Sequence, residues 1–341
     1  MLELFSTCPQ SRDLPPDVYR SRVAEVAEWS DRAGYRGILV YTDNQLVDPW
    51  LVAQIVIEST DALCPLVAVQ PVYMHPYTVA NMVSSFAHIY GRRIFLNMVA
   101  GGFRNDLLAL GDPTEHAERY ARVVEYTQLV KRLLHGERVS SSGRYYTVQK
   151  LSLTPALPPE LFPGIFLSGS SEDGVAAARM IGATAVKYPK PPHEEVSTSA
   201  DSAGIGMRVG VIARDDEAQA WKVARARFPE DRKGQVTHGL AMKVSDSHWH
   251  RQLSELGTEP PSPENPYWLG PFENYKTFCP YLVGSYTTVA SELARYIKLG
   301  FETFILDIPP DEEELQHTAL AFEQASRRAP GRDVTAGPTP A

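Results

Sequence analysis

Eight alternations of a short apolar segment with an amphipathic helix predict an α/β fold, a closed (β/α)8 TIM barrel. The strand segments are continuous apolar runs rich in Val and Ile, as expected of strands buried on both faces of a parallel sheet. The rival, an open doubly wound sheet, is disfavoured because the loop Thr7-Cys-Pro-Gln-Ser11 after the first strand carries no G-x-G-x-x-G. A chain of 341 residues is long enough for two domains, yet barrels of this size routinely form one.

The elements follow in order. Leu2–Ser6 reads as strand one, and Asp17–Arg32 as a helix with Val18, Val23, Val26 and Trp29 at helical spacing, stopped by Gly34. Gly37–Tyr41 is strand two. A helix then starts at Asp48-Pro49, with Asp48 as its cap and Pro49 suited to the first turn. Leu63–Gln70 is strand three and Tyr77–Tyr90 its helix; Ile94–Ala100 is strand four, and Glu115–His135 a long helix closing on Gly136. Ser140–Tyr146 predicts a hairpin excursion. Strands five to seven are Gly164–Ser168, Ala183–Tyr188 and Met207–Ala213, with helices over Ser171–Ile181 and from Asp215-Asp216. Residues 228–285 break the rhythm with dense Pro, Trp and Tyr, which predicts a long insertion acting as a lid. Thr288–Leu299 is a helix, Thr303–Asp307 strand eight and Asp311–Arg327 the last helix. One domain over 1–328 and a flexible tail over 329–341 are expected.

Composition narrows the function. A net charge of −8 and a pI near 5.6 give no support for nucleic acid or a membrane surface as partner. No apolar run approaches the roughly 20 residues that span a bilayer, and the start lacks a basic region and cleavage site. Cys8, Cys64 and Cys279 stand isolated, which fits a reducing cytoplasm. No metal is expected, since His248-Trp-His250 is the one close His pair and has no carboxylate or Cys spaced to join it.

In a barrel the chemistry belongs at the carboxyl ends of the strands. That rim would hold Thr42-Asp43-Asn44, Tyr73, His75, Asn97 with Gly101-Gly102, Ser168–Ser171, Lys187-Tyr188, Arg208 and Asp307. It has no nucleophile elbow, no P-loop and no outstanding carboxylate pair, so a cofactor is expected to carry the difficult chemistry. Ser168-Gly-Ser-Ser171 ends a strand and opens a helix, where free N–H groups and the helix dipole favour an anion. It reads equally as a phosphate seat or as a Ser-capped tight turn. Asn97 interrupts a core strand, so its amide must meet protein groups or face a ligand. His116 and Tyr120 lie four apart on one helix face. Alternation puts Arg208, Gly210 and Ile212 on one face of strand seven. Arg208 then points into the barrel and needs an anion: Asp307, Asp43 or an acidic substrate group.

Taken together, Asp48-Pro-Trp-Leu-Val-Ala53, Phe95-Leu-Asn-Met-Val-Ala-Gly101, His116-Ala-Glu-Arg-Tyr120, Leu167-Ser-Gly-Ser-Ser171 and the Arg208 strand resemble the bacterial luciferase-like flavin monooxygenases. The likeness is nearest to the two-component alkanesulfonate monooxygenases and runs from Gly34 to Leu306. It implies a TIM barrel using O2 and reduced FMN (FMNH2) supplied by a separate flavin reductase, reacting through a flavin peroxide kept from water by the lid. By matched position, the phosphate would be held by Gly169, Ser170, Ser171 and Tyr120, with His116 on the same wall. Asn97 would lie near the flavin ring, and Thr42 and His75 would approach ring or substrate. Arg208 would orient a small organic substrate, acidic groups included, and His75, Tyr281 and Lys187 are candidates to move protons. A homo-oligomer is implied by the same likeness.

The chain also departs from that pattern. Leu46 stands where the alkanesulfonate enzymes have a Cys, Gly210 where they have a His, and Ile308 where they have a Tyr. Sulfonate is therefore not carried over. Two alternatives stay open: a deazaflavin-dependent dehydrogenase of the same fold, and a non-catalytic flavin-binding protein.

Overall fold

Each apolar run becomes one stave of a closed barrel. In the computed structural model, which describes residues 2–101, 103–195, 204–244, 248–256, 262 and 265–329, the staves are β1 (Glu3–Thr7), β2 (Gly37–Val40), β3 (Cys64–Val69), β4 (Phe95–Val99), β5 (Ile165–Ser168), β6 (Thr184–Lys187), β7 (Ile205–Arg214) and β8 (Phe301–Leu306). All neighbours are parallel, and the ring closes through pairing of β8 with β1. The helices between them pack outside, which makes the fold a (β/α)8 barrel.

The barrel interior is apolar at its base. Phe5, Phe95 and Phe166 meet edge to face with centroids 5.2–5.8 Å apart, and Leu39, Leu66, Val186 and Ile305 complete the layer. This plug fills the lower barrel, and the ligand-sized space lies at the carboxyl ends of the strands. The alternation expected for β7 is seen: Met207, Val209 and Val211 pack outward with the helices, and Arg208 is buried.

Local chemistry sets the helix starts that aim at the site. α1 is Pro16–Arg32 and α2 is Pro49–Ser59, whose Asp48 cap accepts from the Trp50 N–H at 2.9 Å. α3 is Pro76–Tyr90. α4 is His116–Leu134, and the loop before it is tied by Asp112, which accepts from Thr114 and pairs with Arg122 at 2.6 Å. Burial would raise the Asp112 carboxyl, but the Arg122 and Thr114 hydrogen bonds outweigh it and hold it below the usual range. A carboxyl depressed on folding stabilises fully above its unfolded pKa, about 3.9, and loses that contribution as pH falls through the folded value. Urea unfolding from pH 6 to pH 2.5 is therefore expected to show a steeper acid loss for the wild type than for Asp112→Asn. Parallel curves would contradict the pair's role.

The expected hairpin forms from Val139–Ser142 and Thr147–Leu151. A helix over Arg104–Ala109, not expected from the sequence, follows β4. The 228–285 region has more regular structure than its weak periodicity suggested. It holds helices Arg232–Val244 and His248–Glu255, and its last residues are not loop. Tyr281–Ser285 is a strand lying parallel to the outer half of β7, Tyr281 beside Gly210 and Ser285 beside Arg214. β7 outruns its barrel neighbours, and its free edge recruits this strand. Ala329 is buried at the end of helix Glu312–Arg328; the rest of the expected tail, and the His248 and His250 side chains, lie outside the description. No described helix is long and apolar enough to cross a membrane.

Candidate active site

A cavity of about 380 Å3 opens at the carboxyl ends of the strands. β1 to β6 all reach it through the residues that follow them: Gln10, Tyr41–Asp43, Gln70, Val99–Gly101, Ser168–Ser171 and Tyr188. A second, more open cavity of about 550 Å3 adjoins it and shares Thr42, Asp43, Leu46, Gln70 and Tyr73 with it. Among the described residues no cluster of three or more His, Cys, Asp or Glu side chains is placed to hold a metal ion.

One wall gathers hydroxyl groups at the start of a helix. After β5 the chain turns at Gly169, and α5 (Glu172–Ile181) begins with Ser171 as its cap, accepting from the Gly174 N–H at 3.1 Å. Ser170 accepts from the Tyr188 N–H at 3.1 Å. Tyr120 crosses from α4 so closely that a Cβ at Gly169 would meet its hydroxyl at 2.5 Å. Only glycine leaves this approach open. Burial raises the Tyr120 phenol, partly offset by its hydrogen bond with Ser171, so it stays a neutral donor. His116 lies 5.2 Å from the Tyr120 ring and lines the same wall. Two hydroxyls, a phenol and a helix N-terminus converge here, a donor set that fits a phosphate monoester such as that of FMN.

Asn97 does not line the cavity. Its Oδ1 accepts from the Ser168 hydroxyl at 2.9 Å, so it steadies the strand end that leads into that wall. Thr42 lines both cavities.

A buried polar network lies behind the Tyr41 part of the lining. Arg208, 3% exposed, donates to the Tyr41 hydroxyl, lies over the Tyr41 ring at 4.9 Å, and pairs with Asp307 at 3.5 Å. The other Asp307 oxygen accepts from Thr277 at 2.6 Å and from Tyr281 at 2.8 Å. Burial works to lower the Arg208 pKa, but Tyr41, Cys279, Tyr188 and Asp307 around it raise it on balance. Of the partners foreseen for Arg208, the protein supplies Asp307. Arg208 itself is not among the cavity-lining residues; Tyr41 is.

Three residues expected to move protons sit away from the cavity. His75 is exposed and caps α3, accepting from the Tyr77 N–H at 3.1 Å. His75→Ala is expected to cost roughly 1 kcal/mol of stability, in the range of other lost caps, and to leave flavin affinity unchanged. Urea unfolding beside a flavin titration checks both. Lys187 pairs with Glu195 at 3.9 Å. Tyr281 is buried against Phe228 and Asp307, in space that exists because residue 210 is glycine: a Cβ there would meet its ring at 2.3 Å.

Sequence reasoning missed Tyr41, Gln10, Tyr275 and Phe278 as cavity residues. Only position could have signalled Tyr41, the last residue of an apolar run at the carboxyl end of its strand.

The chain is 36% identical over 318 residues to 4-(gamma-L-glutamylamino)butanoyl-[BtrI acyl-carrier protein] monooxygenase BtrO of Niallia circulans, covering 90% of this chain and 92% of that protein. Among solved structures, EDTA monooxygenase (EmoA) from Chelativorans sp. BNC1 superposes with a TM-score of 0.73 at 16% identity, over 96% of this chain and 94% of that one. An F420-dependent secondary alcohol dehydrogenase shares the fold at a TM-score of 0.65 and 14% identity, covering 95% and 99%. The luciferase-like monooxygenase family model matches residues 3–303, so the chain, a closed barrel, belongs to the luciferase-like, flavin-dependent monooxygenases.

Proposed function

We propose that this protein is the oxygenase of a two-component system, taking reduced FMN from a separate reductase and using O2 to oxidise a small organic substrate that carries an acyl group. The observation that carries the reading is the turn Gly169-Ser170-Ser171 at the start of α5, with Tyr120 against it and a ligand-sized cavity in front. Bound there, FMN would supply the oxygen-activating redox chemistry that side chains lack.

The protein's own residues bind, orient and exclude water. Ser170, Ser171 and Tyr120 hold the phosphate, His116 completes that wall, and Asn97 fixes Ser168 beneath it. Ala241, Tyr275 and Phe278 from the 228–285 segment line the cavity, which supports a lid that keeps water from the reacting centre. Three unpaired buried cysteines accord with a cytoplasmic setting. BtrO acts, by its name, on an acyl group carried by an acyl-carrier protein, so a carrier-tethered acyl chain is the substrate class to test first. An acidic substrate group is not required by this reading, because Asp307 already neutralises Arg208.

The test is anaerobic titration with reduced FMN, followed by rapid mixing with oxygenated buffer. Tight binding, with flavin oxidation far slower than for free reduced FMN, is the expected result. Binding followed by immediate oxidation would favour a storage protein. Binding of a reduced deazaflavin, with no affinity for FMN, would make the chain a dehydrogenase.

A further inference from the structure

We infer that Tyr41 is the substrate-facing hydrogen-bond donor of this enzyme, holding an acyl carbonyl oxygen, and that Arg208 acts through it as a positioning residue. The inference takes its substrate class from the monooxygenase reading above and its geometry from the network alone.

Donor logic comes first. A guanidinium has only N–H donors, so in its contact with Arg208 the Tyr41 oxygen accepts. The phenol then has one hydrogen left to give. Among the described residues Tyr41 has no other hydrogen-bond partner. The residue lines the cavity, so that hydrogen is available to a ligand there.

Charge comes second. Arg208 and Asp307 neutralise each other behind the wall, and Thr277 and Tyr281 satisfy the second carboxylate oxygen. What reaches the cavity is thus a neutral O–H polarised by a cation 4.9 Å from its ring; Arg12, Asp43 and Asp106 line other parts of the cavity. The network offers a carboxylate or sulfonate no free cation, because Arg208 is paired with Asp307. A carbonyl oxygen, a neutral acceptor, matches a neutral donor.

Burial comes third. It is the chief cause holding the Tyr41 phenol above its ordinary pKa, which keeps the proton on the oxygen at working pH.

The experiment compares binding of S-butanoyl-N-acetylcysteamine with that of S-butyl-N-acetylcysteamine, the thioether lacking the acyl oxygen. Calorimetry is run on the full chain with saturating FMN, and FMN binding is followed separately by fluorescence. The wild type is expected to prefer the thioester by about tenfold, the worth of one well-placed hydrogen bond. Tyr41→Phe, which removes a single oxygen, is expected to abolish the preference and leave FMN affinity intact. Arg208→Lys, retaining the charge but not the fork, is expected to reduce the preference part-way. No binding or equal binding by the wild type, or a preference kept by Tyr41→Phe, overturns the assignment. A chain that binds FMN without any preference overturns only Tyr41. A chain with the preference but no affinity for FMN or reduced FMN overturns the flavin reading instead.

Discussion

Asp307→Ala is expected to lower the free energy of unfolding by about 3–5 kcal/mol, the cost of leaving a buried cation unpaired. Arg208 is 3% exposed and has Asp307 as its one carboxylate partner in this network, at 3.5 Å. The same substitution strips Thr277 and Tyr281 of their shared acceptor. Urea unfolding measures the loss, and a second change separates its causes. Adding Arg208→Met removes the stranded charge and should recover a large part of the stability, since an apolar side chain of similar length suits the site. A loss below about 1 kcal/mol for Asp307→Ala would mean that the guanidinium is solvated or re-paired.

Gly169→Ala is the second large effect, and it falls on the cofactor. The added methyl would sit 2.5 Å from the Tyr120 hydroxyl, well inside contact distance. Tyr120 is 8% exposed and its ring is packed among core residues, so the phenol must swing out of this wall or the turn must open. Overpacking of this kind costs about 1–3 kcal/mol, which, if borne by the phosphate seat, corresponds to an FMN complex weaker by roughly five- to 150-fold. Fluorescence titration with FMN checks this. Unchanged affinity would place the phosphate elsewhere and remove the main support for the cofactor assignment.

How much of this could be read from the chain differs by element. The barrel was legible because each strand is a self-contained apolar run, and each helix start carries local chemistry such as Asp48-Pro49 or Ser171. Burial of Arg208 was legible from alternation alone. Its immediate partner was not: Tyr41 lies 167 residues away in sequence, and nothing local to either residue marks the contact. Tyr281 was legible as an aromatic but not as a strand residue, because its pairing depends on β7 extending past the barrel ring. His75 was drawn toward the site by its position after β3, while its actual partner is the backbone two residues on. Short-range patterns reveal elements; the site is assembled by contacts between them.

The fit of Tyr281 over Gly210 also constrains how this site can change. The phenol occupies the room that any side chain at position 210 would need. An imidazole cannot be placed at position 210 by one substitution, since it would collide with a ring whose hydroxyl is tied to Asp307. Shrinking Tyr281 first would open a void and remove a hydrogen bond from that carboxylate. Each step alone is a loss, and only the pair restores packing. Positions 210 and 281 are therefore coupled, and a side chain at 210 is accommodated only when residue 281 changes with it.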